Sequence, residues 1–192
     1  MNRPPRKPRN LDRRTREYLT ETEVGQLVDA AKKTGRHGHR DATMILVAFK
    51  HGLRVSELVL LRWEQVDLDQ GLLHVFRLKR GTPSTHPLGG EEVRALRKVR
   101  RETHPSPFVF NSERKGPITP STFQKVVARA GQLSGLPFSV HPHMLRHSTG
   151  FKLANDGQDT RAIQLYLGHK NIQHTVGYTE LAPNRFKDFF KT

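Results

Sequence analysis

Apolar residues recur at the spacing of an α-helix along most of this chain, and one segment departs clearly from that spacing. Behind a capping box that begins at Thr20, the residues Val24, Leu27 and Ala31 fall on one helical face. In contrast, residues 72–78 (LLHVFRL) are rich in β-type side chains, and a KRGTPST turn and a returning HPL follow them. The pattern therefore predicts an α+β fold that is predominantly helical, with one small antiparallel sheet.

The same periodicity and the capping residues set the expected bounds of the other elements. Phe108–Phe110 is predicted as one more short strand. The predicted helices cover 20–35, 41–52, 55–63, 91–102, a stretch from 119 through 130, 142–155 and 160–167, with a last amphipathic stretch at 186–190.

Charge points to the class of partner. The chain has 192 residues with 33 Lys and Arg against 18 Asp and Glu, a formal net charge of +15, which favours a polyanion and nucleic acid first. The absence of cysteine excludes disulfide scaffolds, Cys-ligated zinc modules and cysteine nucleophiles. No apolar segment follows the basic N-terminus, so we expect no signal peptide and a cytoplasmic protein.

The N-terminal segment 1–17 is expected to be a flexible basic arm that lies along DNA phosphates, or alternatively a solubilising tail. A single catalytic domain over 18–182 and a C-terminal helical tail over 183–192 complete the expected organisation. The tentative DNA-binding residues are Arg3, Arg6, Lys7, Arg9, Arg13, Arg14 and Arg16 of the arm, and Arg80 of the hairpin.

Three clusters contain residues that could perform chemistry. In the first, Arg54 follows a glycine at the start of a predicted helix, and Glu57 lies one turn further along the same face, where a carboxylate can orient a guanidinium. The alternative is a surface ion pair of little energetic value.

The second cluster is the segment 140–147 (VHPHMLRH). Because Pro142 favours a helix start, His143 and Arg146 share one face near a helix N-terminus, which suits an anion. His143 and His147 also share a face. A metal site formed by His141, His143 and His147, or a helix start with structural histidines, are the alternatives.

The third cluster is the segment 166–172 (YLGHKNI), in which a helix stopped by glycine presents His169. Tyr178 follows nine residues later in a polar stretch. Alone, Tyr178 would be interpreted as a packing aromatic.

Together and in this order, the clusters resemble the catalytic domain of the tyrosine recombinases, or phage-type integrases, over about residues 18–182. The segments HPHMLRHSTGF, LGHKNIQHTVGYT and RLKRGTPSTHPL most closely resemble the small fimbrial-switch invertases of that family. The basic arm stands where most family members carry a further N-terminal helical domain. The residues that correspond to the family's catalytic set are Arg54, Lys79, His143, Arg146, His169 and Tyr178.

The resemblance implies metal-independent strand cleavage and rejoining through a 3′-phosphotyrosine, with no cofactor. It implies that Arg54, Arg146 and His169 bind the phosphate, while Glu57 orients Arg54. It also assigns protonation of the leaving 5′ oxygen to Lys79 and acid–base work beside Tyr178 to His143.

The implied partner is double-stranded DNA, bound by a homotetramer whose subunits are monomeric or weakly associated when free, without a membrane. Phe186, Phe189 and Phe190 of the tail could dock into a neighbouring subunit or fold back on their own domain. A DNA-binding regulator that keeps the fold without recombining is the alternative function, followed by a topoisomerase-like nicking–closing enzyme and a metal nuclease.

Overall fold

The computed structural model describes residues 16–77 and 82–180. Within these ranges the chain forms eight α-helices and one three-stranded antiparallel sheet. The predicted fold class, predominantly helical with one small antiparallel sheet, is confirmed. The helices are α1 (Glu21–Lys32), α2 (Gly38–Lys50), α3 (Val55–Val59), α4 (Gly90–Glu102), α5 (Pro120–Leu133), α6 (Pro142–Asn155), α7 (Thr160–Leu167) and α8 (Gln173–Glu180). The strands are β1 (Val66–Asp67), β2 (Leu72–Val75) and β3 (Ser84–Pro87), and a 3₁₀ turn at Trp63–Gln65 leads into β1.

Local signals set the helix starts. The Thr20 hydroxyl accepts the Glu23 N–H, and the Glu23 carboxylate accepts the Thr20 N–H, which is the predicted capping box of α1. The Thr119 cap of α5 is also present. Asp159 caps α7 by accepting two backbone N–H groups.

Helix α2 forms the centre of the domain, because its residues from Ala42 to Phe49 are buried on every face. It packs against α1, α4 and α6, and α5 covers α1. The antiparallel sheet joins this core through Leu73 and Val75 of β2. Helices α6, α7 and α8 share a smaller apolar cluster, which consists of Ala154, Ile163, Leu167 and Tyr178.

Several predicted bounds were wrong. Helix α1 ends at Lys32 rather than at Gly35, and α2 begins at Gly38 and ends at Lys50. Helix α3 ends at Val59 rather than at Trp63, because the chain turns after it and Arg62 forms a β-bridge with Phe108. Residues 108–110 form no strand. They make a single bridge, Arg62 to Phe108, and a backbone hydrogen bond from Val109 to Leu61.

Helix α8 and the two-residue strand β1 were not predicted. The tail residues Phe186, Phe189 and Phe190 lie outside the described residues. In the part of the chain that the structure describes, no helix is long and apolar enough to span a bilayer.

Candidate active site

Residues from three distant parts of the sequence meet in one cleft of about 330 Å³. Four parts of the fold line this cleft: the turn before α3, one face of α6, the loop after α7, and α8. The residues that line it are Arg54, His143, Arg146, His147, Gly168, His169, Lys170, His174 and Tyr178. Five of the six residues predicted as catalytic are therefore brought together, and the sixth, Lys79, lies outside the described residues.

The Arg54–Glu57 pair is built into the fold. Arg54 is the N-cap of α3, and its Nη1 donates to Glu57 Oε1 at 2.7 Å, while its backbone N–H donates to Oε2 at 2.9 Å. The Glu57 side chain is 2% exposed and that of Arg54 is 32% exposed, so the pair is not the surface ion pair of the alternative interpretation. Burial raises the pKa of Glu57, but the Arg54 N–H and the Arg77 charge outweigh it and lower that pKa below the usual range.

Arg146 is held by the ends of two other elements. Its Nη1 donates to the Gly52 carbonyl, and its Nη2 donates to the Leu167 carbonyl at 2.7 Å. Burial, followed by the charges of Arg54 and Arg77, lowers the pKa of Arg146 to about 9, so it remains a cation at neutral pH. Two carbonyl acceptors thus fix the guanidinium without neutralising it, which leaves its charge available to a bound anion.

His169 follows the glycine that ends α7. Gly168 has φ +66°, a left-handed conformation that favours glycine, and it turns the chain so that His169 enters the cleft. The ring Nδ1 hydrogen-bonds the Thr175 hydroxyl of α8 at 2.9 Å. Burial, followed by the charges of Arg146 and Arg54, lowers the pKa of His169 to about 3, so the ring is neutral at neutral pH.

Tyr178 lies against α6 and is 6% exposed. Its ring packs on the backbone of Gly150, where an added Cβ would lie 2.6 Å from two ring carbons. The Phe151 ring meets it edge-on, with centroids 5.2 Å apart. Burial raises the pKa of Tyr178 above its usual value, although the charge of Arg146 acts in the opposite direction, so the phenol is protonated at neutral pH.

The hydroxyl of Tyr178 lies 2.9 Å from Nδ1 of His147. Burial, followed by the charge of His143, lowers the pKa of His147 to about 4, so this imidazole is neutral at neutral pH and can accept a hydrogen bond from the phenol. His143 meets the His147 ring edge-on at 4.5 Å between centroids. The sequence placed His143 beside Tyr178, whereas in the structure the residue hydrogen-bonded to the hydroxyl is His147, one helical turn further on.

The sequence did not identify His147 as the partner of Tyr178, although its i+4 spacing from His143 placed both on the same helical face. It also missed Arg77, a buried arginine that contacts Glu57, because no local pattern distinguishes it from other hairpin cations. No group of three His, Asp or Glu side chains among the described residues is arranged to hold a metal ion, including the alternative set of His141, His143 and His147.

Most of the predicted DNA-binding residues cannot be compared with the structure. Lys79, Arg80 and the arm residues from Arg3 to Arg14 lie outside the described residues. Arg16 is described, and it packs onto the domain rather than extending from it. Its guanidinium pairs with Glu23 and lies over the rings of Tyr18 and Phe138.

Known proteins resemble this chain in sequence over most of its length. A family model described as the phage integrase family matches residues 17–185. The type 1 fimbriae regulatory protein FimB of Escherichia coli K12 is 43% identical over 180 residues, which cover 91% of this chain and 90% of FimB. The tyrosine recombinase XerD of Pseudomonas aeruginosa is 37% identical over 177 residues, covering 88% of this chain and 59% of XerD.

Solved structures share the fold. The crystal structure of XerA recombinase superimposes with a TM-score of 0.76 at 27% identity, over 97% of this chain and 65% of that chain. The structure of XerH site-specific recombinase bound to its difH substrate gives a TM-score of 0.76 at 21% identity, which is a likeness of fold. This chain therefore spans nearly all of FimB and about two-thirds or less of the compared Xer proteins.

Proposed function

Because the chain belongs to the phage integrase family and is a site-specific tyrosine recombinase, we propose that Tyr178 is the nucleophile that cuts DNA and holds its 3′ phosphate. The observation that supports this most directly is that Tyr178 shares one cleft with Arg54, Arg146 and His169 of the same chain. Each subunit would then contain a nucleophile and the groups that bind the phosphate, and would cleave in cis.

The cations of the cleft bind the phosphate in this proposal. Arg54 and Arg146 present planar guanidinium groups, which form paired hydrogen bonds with phosphate oxygens. Both are fixed by hydrogen bonds to groups of the protein, so little reorganisation is needed when charge accumulates on the non-bridging oxygens. His169 donates a further hydrogen bond through its ring.

The cleavage step conserves atoms and charge. The Tyr178 oxygen forms a bond to phosphorus as its proton moves to Nδ1 of His147, and the bond from phosphorus to the 5′ oxygen breaks. We assign to Lys79 the proton that the leaving 5′ oxygen takes up. His143, edge-on to His147, is proposed as the acid–base group that passes the proton taken from Tyr178 between His147 and solvent. Attack by a 5′ hydroxyl of another strand reverses the step and releases Tyr178.

We propose inversion of a DNA segment as the biological outcome, because several segments of the chain resemble the small fimbrial-switch invertases and FimB is a type 1 fimbriae regulatory protein. We propose that four subunits assemble on two copies of the target site, because exchange of two duplexes requires four cleavages. In this proposal the tail over 183–192 docks on a neighbouring subunit, the arm over 1–17 lies along DNA phosphates, and the protein acts in the cytoplasm on chromosomal or mobile-element DNA.

Covalent trapping tests the proposal. The purified protein is incubated in EDTA with duplex fragments from around its own gene, denatured in SDS, and examined for protein-linked DNA. The chain has three tyrosines, at positions 18, 166 and 178, so each is replaced by phenylalanine in turn. We expect only Tyr178→Phe to abolish the adduct, with Tyr18→Phe and Tyr166→Phe as matched controls.

Two outcomes contradict the proposal. An adduct that survives in Tyr178→Phe refutes the nucleophile, and specific DNA binding without any adduct supports the alternative of a DNA-binding regulator. A two-site plasmid assay then separates inversion from simple nicking and closing, because only recombination changes the orientation of the segment between the sites.

A further inference from the structure

Arg77 is an arginine two residues after β2, and its side chain is 0% exposed. Its Nη1 donates to Glu57 Oε2 at 2.9 Å, and its Nη2 donates to the backbone carbonyl of Tyr166 in α7. A buried ion pair adds little net stability, because desolvation offsets most of the Coulomb attraction. This cost points to a role other than holding the fold together.

Glu57 is shared between two arginines. Oε1 accepts from Arg54 at 2.7 Å, whereas Oε2 accepts from Arg77 as well as from the Arg54 backbone. With Arg54 alone, the carboxylate would neutralise the guanidinium that faces the cleft. With Arg77 on its other oxygen, the three groups together carry one net positive charge, and Glu57 is held from two sides.

Arg77 also contacts the turn that presents His169. An added Cβ on Gly168 would lie 2.7 Å from the Arg77 Nε, so the arginine stem packs directly on this glycine. From the other strand of the hairpin, His86 stacks on the Tyr166 ring with centroids 3.8 Å apart. The end of β2 is thus joined both to the Arg54 side of the cleft and to the His169 side.

We propose that Arg77 is a positioning residue of the recombination site, which holds Glu57 so that Arg54 presents an oriented and uncompensated positive charge to the phosphate. This inference rests on the proposed function of the cleft. Arg77 does not line the cleft itself, so it acts through Glu57 and Arg54 rather than by touching DNA.

The test compares two variants. Arg77→Met keeps an unbranched side chain and removes the charge, whereas Arg77→Lys keeps the charge on a single donor nitrogen and loses the planar guanidinium. Arg40→Met is the matched control, because Arg40 is also largely buried and pairs with Asp41. It lies near the N-terminus of α2, whereas the C-terminus of that helix leads to the cleft. The measured rate is that of covalent adduct formation under single turnover, on the fragment that wild type cleaves. Thermal unfolding and DNA binding establish that each variant is folded.

We expect the cleavage rate of Arg77→Met to fall roughly 10- to 100-fold. This fall is no larger than the roughly 10²- to 10³-fold fall that follows the loss of a group donating directly to the reacting oxygens. Arg77→Lys should lie between Arg77→Met and wild type, and Arg40→Met should cleave at the wild-type rate. In an Arg54→Ala background, Arg77→Met should cost no more than about threefold, since effects that act through one residue are not additive. An equal loss in both backgrounds overturns the proposal, and if Arg77→Met does not fold, the same comparison is made with Arg77→Lys.

A second measurement does not depend on cleavage. In ¹⁵N side-chain spectra of the full chain, the Arg54 Nε–H signal should shift or broaden in Arg77→Met and stay unchanged in Arg40→Met. An unchanged Arg54 signal in Arg77→Met also overturns the proposal. If wild type forms no adduct but the Arg54 signal moves as expected, the proposed function fails while the positioning of Arg54 by Arg77 stands.

Discussion

Replacing Gly150 by alanine directly tests the placement of Tyr178, the proposed nucleophile. Gly150 lies within α6, and a Cβ there would meet three atoms of the Tyr178 ring at 2.6, 2.6 and 2.7 Å. Ordinary carbon contacts lie at about 3.5–4.0 Å, so the ring must move by roughly 1 Å. The ring is confined by Phe151 on another side, and a movement of this size breaks the 2.9 Å hydrogen bond to His147.

The expected effect is large on cleavage and small on stability. A displacement of about 1 Å in a reacting group can cost about 10²-fold in rate, so we expect Gly150→Ala to form the adduct about 100-fold more slowly. Crowding costs about 1–3 kcal/mol of unfolding free energy, but alanine regains about 1 kcal/mol through its helix propensity. The net loss of stability should therefore be at most about 2 kcal/mol.

Two other helical glycines serve as controls. Gly131→Ala in α5 is similarly crowded, because its Cβ would lie 2.8 Å from Val140, and neither residue lines the cleft. Gly25→Ala in α1 meets nothing within 4 Å and should stabilise the helix by about 1 kcal/mol. Single-turnover adduct formation and thermal unfolding are measured on all three variants. A folded Gly150→Ala protein that cleaves as fast as Gly131→Ala would refute the close packing of Tyr178 on α6.

Three further predictions concern stability. Burial is the largest cause that lowers the pKa of three histidines from 6.5, to about 3, 4 and 3 for His86, His147 and His169. Between pH 6.5 and about 4 the unfolded chain binds these protons and the folded chain does not, so each histidine removes about 1.4 kcal/mol of stability per pH unit as the pH falls. Unfolding midpoints and proton uptake check this, and a flat stability from pH 6.5 to 4.5 would contradict it. Gly168→Ala should cost about 2–4 kcal/mol in denaturant unfolding, because its backbone is left-handed and its Cβ meets Arg77, whereas Gly157→Ala, with φ +83° and open space, should cost about 1–2 kcal/mol. Thr20→Ala should lose about 1 kcal/mol with the α1 cap, while exposed Thr22→Ala should lose nothing, and equal losses would contradict the role of the cap.

The sequence was most informative where structure depends on neighbours along the chain. The start of α1 follows from the Thr20–Glu23 box, and the end of α7 follows from Gly168. Helix α8 was missed because its sequence QHTVGYTE lacks an aliphatic face, and its buried residues are Thr175, Tyr178 and Thr179. Helix formation there depends on packing against α6 and α7, which no local pattern reports.

In the site, too, features set by neighbours along the chain were predicted and features set by distant contacts were not. The motif residues were found because their spacing along the chain is distinctive, but their partners depend on contacts between distant segments. Arg77 lies 20 residues from Glu57 and 89 from Tyr166, so its burial and its role could not be predicted from its own surroundings. The exchange of His143 for His147 beside Tyr178 depends on the angle between α6 and α8, which spacing alone does not fix.

The electrostatics of the free cleft explain why it is suited to a phosphate. Arg54 and Arg77 share one carboxylate, Glu57, whereas Arg146 donates to two backbone carbonyls. Burial, followed by the charges of Arg54 and Arg77, lowers the pKa of Arg146 to about 9, which reflects how unfavourable its buried charge is. In the proposed function, a bound phosphate would supply the missing negative charge, and its transition state would place more of it on the oxygens that the guanidinium groups face. Since carbonyls rather than carboxylates hold Arg146, its charge is fixed in place without being cancelled. On the proposed function, the arrangement that makes the free protein less stable is therefore the one that would bind the transition state most strongly.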